Sequence, residues 1–185
     1  MTVYGENEAR LADLQLMFDK MCEHTFTLIT SQEDFQVHPD IAADFFGMAM
    51  RYMRYCSKVI FGSTQIEGLI QFAIVGIGIE HREAAKALCL FFSQLFECFS
   101  QENFAEGSVA QVRGERASLT DTKKMVKQFF LNKGEEIVER FMQFLVSVPP
   151  SAVSRCVVDV LVDIYKSYPS HGVHWFSRAA KNVSV

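Results

Sequence analysis

A chain of 185 residues with 49% hydrophobic and 22% charged side chains, 10 glycines and 4 prolines is neither disordered nor fibrous. It is long enough for one domain with a sizeable core or for a short run of repeats. Its net charge of −4 speaks against a direct nucleic-acid binder, and that charge is uneven: residues 1–100 carry 7 basic and 13 acidic side chains, residues 101–185 carry 11 and 9.

Helical periodicity dominates from the start. Leu11, Leu14, Phe18, Met21, Cys22 and Leu28 recur at helical spacing and predict a first helix over 8–30, followed by a polar loop to His38. Pro39 suits the first turn of a second helix over 39–56, where a missing N–H costs nothing. Asp40 and Asp44 fall near its positive end and Arg51, Arg54 and Lys58 near its negative end. Ile41, Phe45, Met48 and Tyr52 form its expected seam.

A third helix is predicted over 64–79, with Thr64 and Glu67 at capping-box spacing and Ile66, Leu69, Ile70, Ala73, Ile74 and Ile77 making it apolar nearly all round. A break near Gly78–His81 leads to a fourth helix, 82–99, whose stripe runs Leu88, Phe91, Phe92, Leu95, Phe96 and Phe99. The pattern is lost in 101–117, read as a loop. It returns over 118–148 through Met125, Phe129, Ile137, Phe141, Phe144 and Leu145, with Gly134 as a point of bending or splitting and Pro149–Pro150 as a stop. Val153, Val157, Val160, Leu161, Ile164, Tyr165 and Tyr168 then give a helix over 151–168 closed by Pro169, and a short last helix covers 171–182. The β-branched run at 157–164 also suits a strand, but its length and spacing favour helix.

The helices fall into three antiparallel pairs plus one helix: 8–56, 64–99 and 118–168, then 171–182, in one unit spanning 8–182. Pairs recurring at tens of residues are the pattern of stacked helical repeats, in which each pair touches the one before and the one after. The expected fold is therefore all-α, a short right-handed solenoid.

Three stretches carry a family resemblance. His38-Pro39-Asp40 followed by Asp44-Phe45-Phe46 resembles the start of a repeat helix in the transportin-SR branch of the importin-β superfamily. Phe72-Ala73-Ile74 continuing to Glu80-His81-Arg82-Glu83-Ala84 is similar to that branch's next helix pair. Pro149-Pro150, then Val157 to Tyr168, then Trp175-Phe176 resembles its carboxy-terminal HEAT repeats. The resemblance covers most of 8–182 and is weakest in 101–117. It implies a HEAT-type solenoid, a segment of a longer nuclear transport receptor that binds protein cargo, by resemblance Arg/Ser-rich proteins, and that works in cytoplasm and nucleus. The family's Ran-GTP-binding repeats and arginine-rich cargo helix have no counterpart here, so Ran-GTP would act only through repeats outside this chain. An earlier repeat would normally cover the apolar flank of the first pair, so self-association through that truncated end is expected as an artefact.

Catalytic and metal chemistry find little support. The five cysteines, an odd number without CxxC spacing, read as reduced core residues of an intracellular chain. Cys22 and His24 lie two apart and so point to different helix faces, a poor nucleophile–base pair. His171 and His174 have no further ligands at zinc-like spacing. Gly76-Ile77-Gly78 lacks the strand, third glycine and Lys-Ser/Thr of a phosphate loop and reads as a helix end or close contact. No segment approaches the roughly 20 apolar residues of a membrane span, and the opening residues do not resemble a secretory signal. No enzyme activity, cofactor or metal is expected. In HEAT stacks the second helix of each pair lines the concave face, so the polar residues outside its seam become the candidate partner-binding set: Arg51, Arg54, Lys86, Arg155, Asp159 and Asp163. A stand-alone helical adaptor unrelated to transport is the alternative reading.

Overall fold

The computed structural model describes residues 8–100, 113–147 and 151–183, which form nine α-helices and no strand. They are α1 (Glu8–Leu28), α2 (Gln32–Val37), α3 (Pro39–Tyr55), α4 (Ser57–Gly62), α5 (Ile66–Val75), α6 (Arg82–Ser100), α7 (Arg113–Ser147), α8 (Ala152–Ser167) and α9 (Pro169–Val183). Helices α3, α6 and α8 lie side by side as an inner layer. Behind them α4 bridges α1 to α7, and α9 continues along α7. Each hairpin is covered by its neighbour, as the all-α HEAT-like expectation requires.

One continuous core runs between the layers and is built mainly from Phe, Ile, Leu and Val. Phe18 meets Tyr52 at 5.0 Å and Phe26 meets Phe45 at 5.8 Å, which fixes α1 antiparallel to α3. Phe72 of α5 packs within 6 Å of Phe26, Phe35, Phe45 and Phe46, so one ring joins four others across α1, α2 and α3. The stripe of α6 is core: Leu88, Phe91, Phe92, Leu95 and Phe96 are buried. Phe92 reaches Phe141 of α7 and Phe96 reaches Phe130, also of α7.

Several local expectations are corrected. The polar loop before His38 contains α2, because Ser31 and Asp34 form a reciprocal cap and Phe35 is buried beneath it. The Asp34 carboxylate accepts from the backbone and hydroxyl of Thr30 and from Ser31 N, and these bonds hold its carboxyl below the usual range. The Thr64–Glu67 cap does not form. Helix α5 starts at Ile66, and the neighbouring donor is met by Ser63, whose hydroxyl accepts from Gln65 N at 2.9 Å and donates to Asp19 of α1. Burial of Val59, Ile60 and Phe61 supports α4 as an added turn of helix.

Helix α7 starts earlier than predicted, so 113–117 are helical rather than loop; the rest of that predicted loop, like Pro149–Pro150, lies outside the described residues. It runs unbroken through Gly134, on which the ring of Trp175 packs directly. The valine-rich segment 152–167 is helical, capped by Ser151 and Ser154, with Val153, Val157, Val160, Leu161 and Ile164 buried on one face. The last helix begins at Pro169 rather than at 171. Gly76 and Gly78 make the tight exit from α5: the ring of Phe35 packs on Gly76, and Gly78 takes φ 105°, a conformation side chains rarely adopt.

A candidate partner-binding groove on the inner layer

The inner helices part toward their C-terminal ends and leave an open groove of about 680 Å³. Its floor includes Gly47 and Met50 of α3 and Ser93 and Phe96 of α6. Arg51, Arg54 and Tyr55 form the α3 bank, Leu90, Gln94 and Glu97 rise from α6, and Asp163, Lys166 and Ser167 close the α8 bank. Three cations thus face two carboxylates around exposed Tyr55 and Leu90.

One polar chain crosses the groove from α3 to α6. Arg54 Nη2 donates to Gln94 Oε1 at 3.1 Å, and Gln94 Nε2 donates to Glu97 Oε2 at 3.1 Å. A guanidinium held by a neutral amide keeps its full charge and several free donors for a ligand carboxylate or carbonyl. Arg51, Asp163 and Lys166 make no hydrogen bond or ion pair with another described side chain. Such a surface suits an extended or helical protein segment with an apolar residue for Leu90 and Tyr55 and polar groups for the banks.

Of the six residues singled out from the sequence, the structure brings Arg51, Arg54 and Asp163 together in the groove. Lys86 lies earlier on α6, half-buried and 3.5 Å from Glu83. Arg155 and Asp159 are exposed on the first half of α8, outside the groove. Choosing polar positions along the whole helix overlooks that the layer opens only at one end. It also passes over Tyr55, Leu90, Gln94 and Lys166. Leu90 carries a legible signal, being an apolar residue on the face of α6 opposite the Phe stripe.

The reactive residues stay apart. Cys22 is buried while His24 is exposed, and both His171 and His174 are exposed. Among the described residues no group of three His, Cys, Asp or Glu could hold a metal, and no helix is long and apolar enough to cross a membrane. Burial pushes the thiols of Cys22 and Cys89 up to about 12, helped by Asp19 and Glu23 at Cys22 and by Cys156 and Asp159 at Cys89; burial also raises Cys98. The thiolate is the reactive form, so in native protein at pH 8 a thiol reagent should label half-buried Cys56 and Cys156 first and reach the other three only on unfolding. Mass spectrometry of the labelled peptides checks this. The same shifts set an alkaline limit. Unfolded thiols ionise near 9 while the folded ones resist to about 12, so stability present below pH 9 should fall between pH 9 and 12 in urea titrations.

No family profile matches the chain. Transportin MOS14 from Arabidopsis thaliana is 25% identical to it over 183 residues, covering 99% of the chain and 17% of the plant protein's length. The chain is similar to a transportin. This likeness accompanies an all-α stack of HEAT-like helices with an open groove on its inner layer. The chain spans about a sixth of that relative's length, 17%.

Proposed function

We propose that this polypeptide is a cargo-holding segment of a nuclear transport receptor of the transportin-SR type, and that a protein segment, by resemblance one from an Arg/Ser-rich protein, lies in the groove between α3, α6 and α8. The single observation that carries the reading is the similarity to a transportin along 99% of the chain. The groove supports it, since its lining mixes free charges with exposed apolar side chains and holds no converging set of reactive groups. Such a segment works by affinity and would shuttle between cytoplasm and nucleus, with Ran-GTP acting through repeats outside this chain.

The test is capture of Arg/Ser-rich proteins from nuclear extract on the immobilised chain, with and without reversal of charge at Arg51, Arg54 and Asp163. The triple variant should capture at least tenfold less while its melting temperature stays within about 2 °C, because Arg51 and Arg54 are exposed and half-buried Asp163 has no ion-pair partner among the described residues. Equal capture by the variant would remove the groove from the binding site. Loss of melting temperature together with capture would assign the three residues to the fold.

A further inference from the structure

Taking the groove as the cargo site, an assignment on which this rests, we infer that it holds an acidic segment of the cargo, anchored by one bulky apolar side chain that seats on Gly47 of α3. Glycine is the least stable ordinary residue inside a helix, so a glycine in a helix interior calls for a physical cause. Gly68, Gly76, Gly134 and Gly172 have one, because the rings of Phe26, Phe35, Trp175 and Tyr165 pack where a side chain would stand. Gly62 ends α4, and Gly78 takes a positive φ. Gly47 differs from all of these. It sits midway along α3, and a Cβ there would meet nothing within 4 Å. The fold makes no use of the missing side chain, and Gly47 lines the groove, so the space it leaves is a notch in the groove floor.

The surroundings of that notch select what fills it. The rings of Phe46 and Phe91, the chain neighbours of Gly47 and Leu90, lie 5.3 Å apart, which sets Gly47 and Leu90 level on facing helices. Met50 and Leu90 give the notch apolar walls, which favour a side chain of leucine or phenylalanine size. Arg51 follows one turn along α3, about 6 Å beyond the notch, and Arg54 about 10 Å beyond it. Of the groove charges, Arg51 and Lys166 are positive and unpaired among the described residues, and Arg54 keeps its charge against neutral Gln94. Asp163 is the unpaired carboxylate that opposes them. The excess is positive, so the complementary segment is acidic beside its anchor. An Arg/Ser repeat has no apolar anchor, and unmodified it has the wrong charge. In an Arg/Ser-rich cargo the docked segment therefore flanks the repeat.

Selection from a random-peptide library displayed on phage, with the immobilised chain as bait, tests this. The enriched peptides should share one bulky apolar residue with acidic neighbours. Gly47→Leu, which fills the notch, should weaken synthetic copies of them at least about tenfold in fluorescence anisotropy. Gly47→Ala should raise the melting temperature by roughly 2–4 °C, since its methyl group meets no neighbour and the helix gains propensity. It should nevertheless weaken binding, so that stability and affinity move in opposite directions, which a merely structural glycine would not show. Enriched peptides that are basic or lack an apolar residue overturn the inference, and a lowered melting temperature for Gly47→Ala does so by assigning the glycine to the fold. Peptides held equally by Gly47→Leu but released by charge reversal at Arg51, Arg54 and Asp163 overturn it while leaving the groove as the site. Peptides indifferent to both changes, or no enrichment, remove the groove itself and the anchor with it.

Discussion

Replacing Phe46 by alanine should lower the stability of the chain by about 4 kcal/mol. The ring is 1% exposed and packs against Phe35, Phe45, Phe72 and Phe91 with centroids 5.3 to 6.4 Å away. Those neighbours come from α2, α3, α5 and α6, so one side chain links the first hairpin to the second. Removing it costs the transfer of a phenyl ring and leaves a cavity that stiff aromatic walls cannot readily fill. For a chain of this length each kcal/mol moves the melting temperature by roughly 2–4 °C, so a fall of about 8–16 °C is expected. Urea unfolding followed by circular dichroism measures it directly. Leu90→Ala serves as the contrast. Leu90 is 52% exposed in the groove and its removal should cost under about 0.5 kcal/mol. A loss below about 1 kcal/mol for Phe46→Ala would mean that the core closes over the gap and that the two hairpins are held elsewhere.

Phe46 also shows what the sequence discloses and what it withholds. The existence of the long helices, the all-α class and the core stripe of α6 are legible because apolar residues recur at 3.6-residue spacing. Ordinary periodicity marks which residues are apolar, not which flank meets a neighbour. Met21, Leu28, Ile41 and Tyr165 fit their stripes by spacing, yet all are 40% or more exposed, because they lie on flanks the described stack leaves open. Short elements escape for a different reason. Helix α2 has one buried residue, Phe35, and its stability comes from a cap between Ser31 and Asp34 with a side-chain spacing that occurs by chance in many loops. The groove was half visible. Arg51 and Arg54 follow from the end of α3, but that Asp163 and Lys166 stand across from them depends on how α8 lies against α6. No local pattern encodes that placement.

Gly134 gives the sharpest conflict between local and tertiary preference. Gly134→Ala should gain about 1 kcal/mol by helix propensity alone, since the residue sits well inside α7. The added Cβ would collide with Trp175 Cη2 and stand 2.5 Å from Cζ2 and Cζ3, closer than relaxed packing allows. Trp175 cannot simply retreat. It is 5% exposed and has Tyr168 and His171 beside it, both with ring centroids 5.7 Å away. Overpacking of this kind typically costs 1–3 kcal/mol, and at a helix crossing the backbone must move as well. We therefore expect a net loss of about 2 kcal/mol, equivalent to roughly 4–8 °C in melting temperature. Trp175 is the single tryptophan of the chain, so its emission reports the crossing alone and should shift to the red if α9 lifts from α7. Trp175→Leu made together with Gly134→Ala should cost less than the sum of the two separate losses, because the smaller side chain leaves room for the methyl group. A stabilised Gly134→Ala protein with unchanged emission would show that α9 rides loosely on α7. The tight reading has a reach beyond this crossing. Tyr168 touches Trp175, Phe130 and Phe96, and Phe96 forms part of the groove floor. Displacing Trp175 should therefore weaken capture in the groove as well as stability, although Gly134 lies outside it.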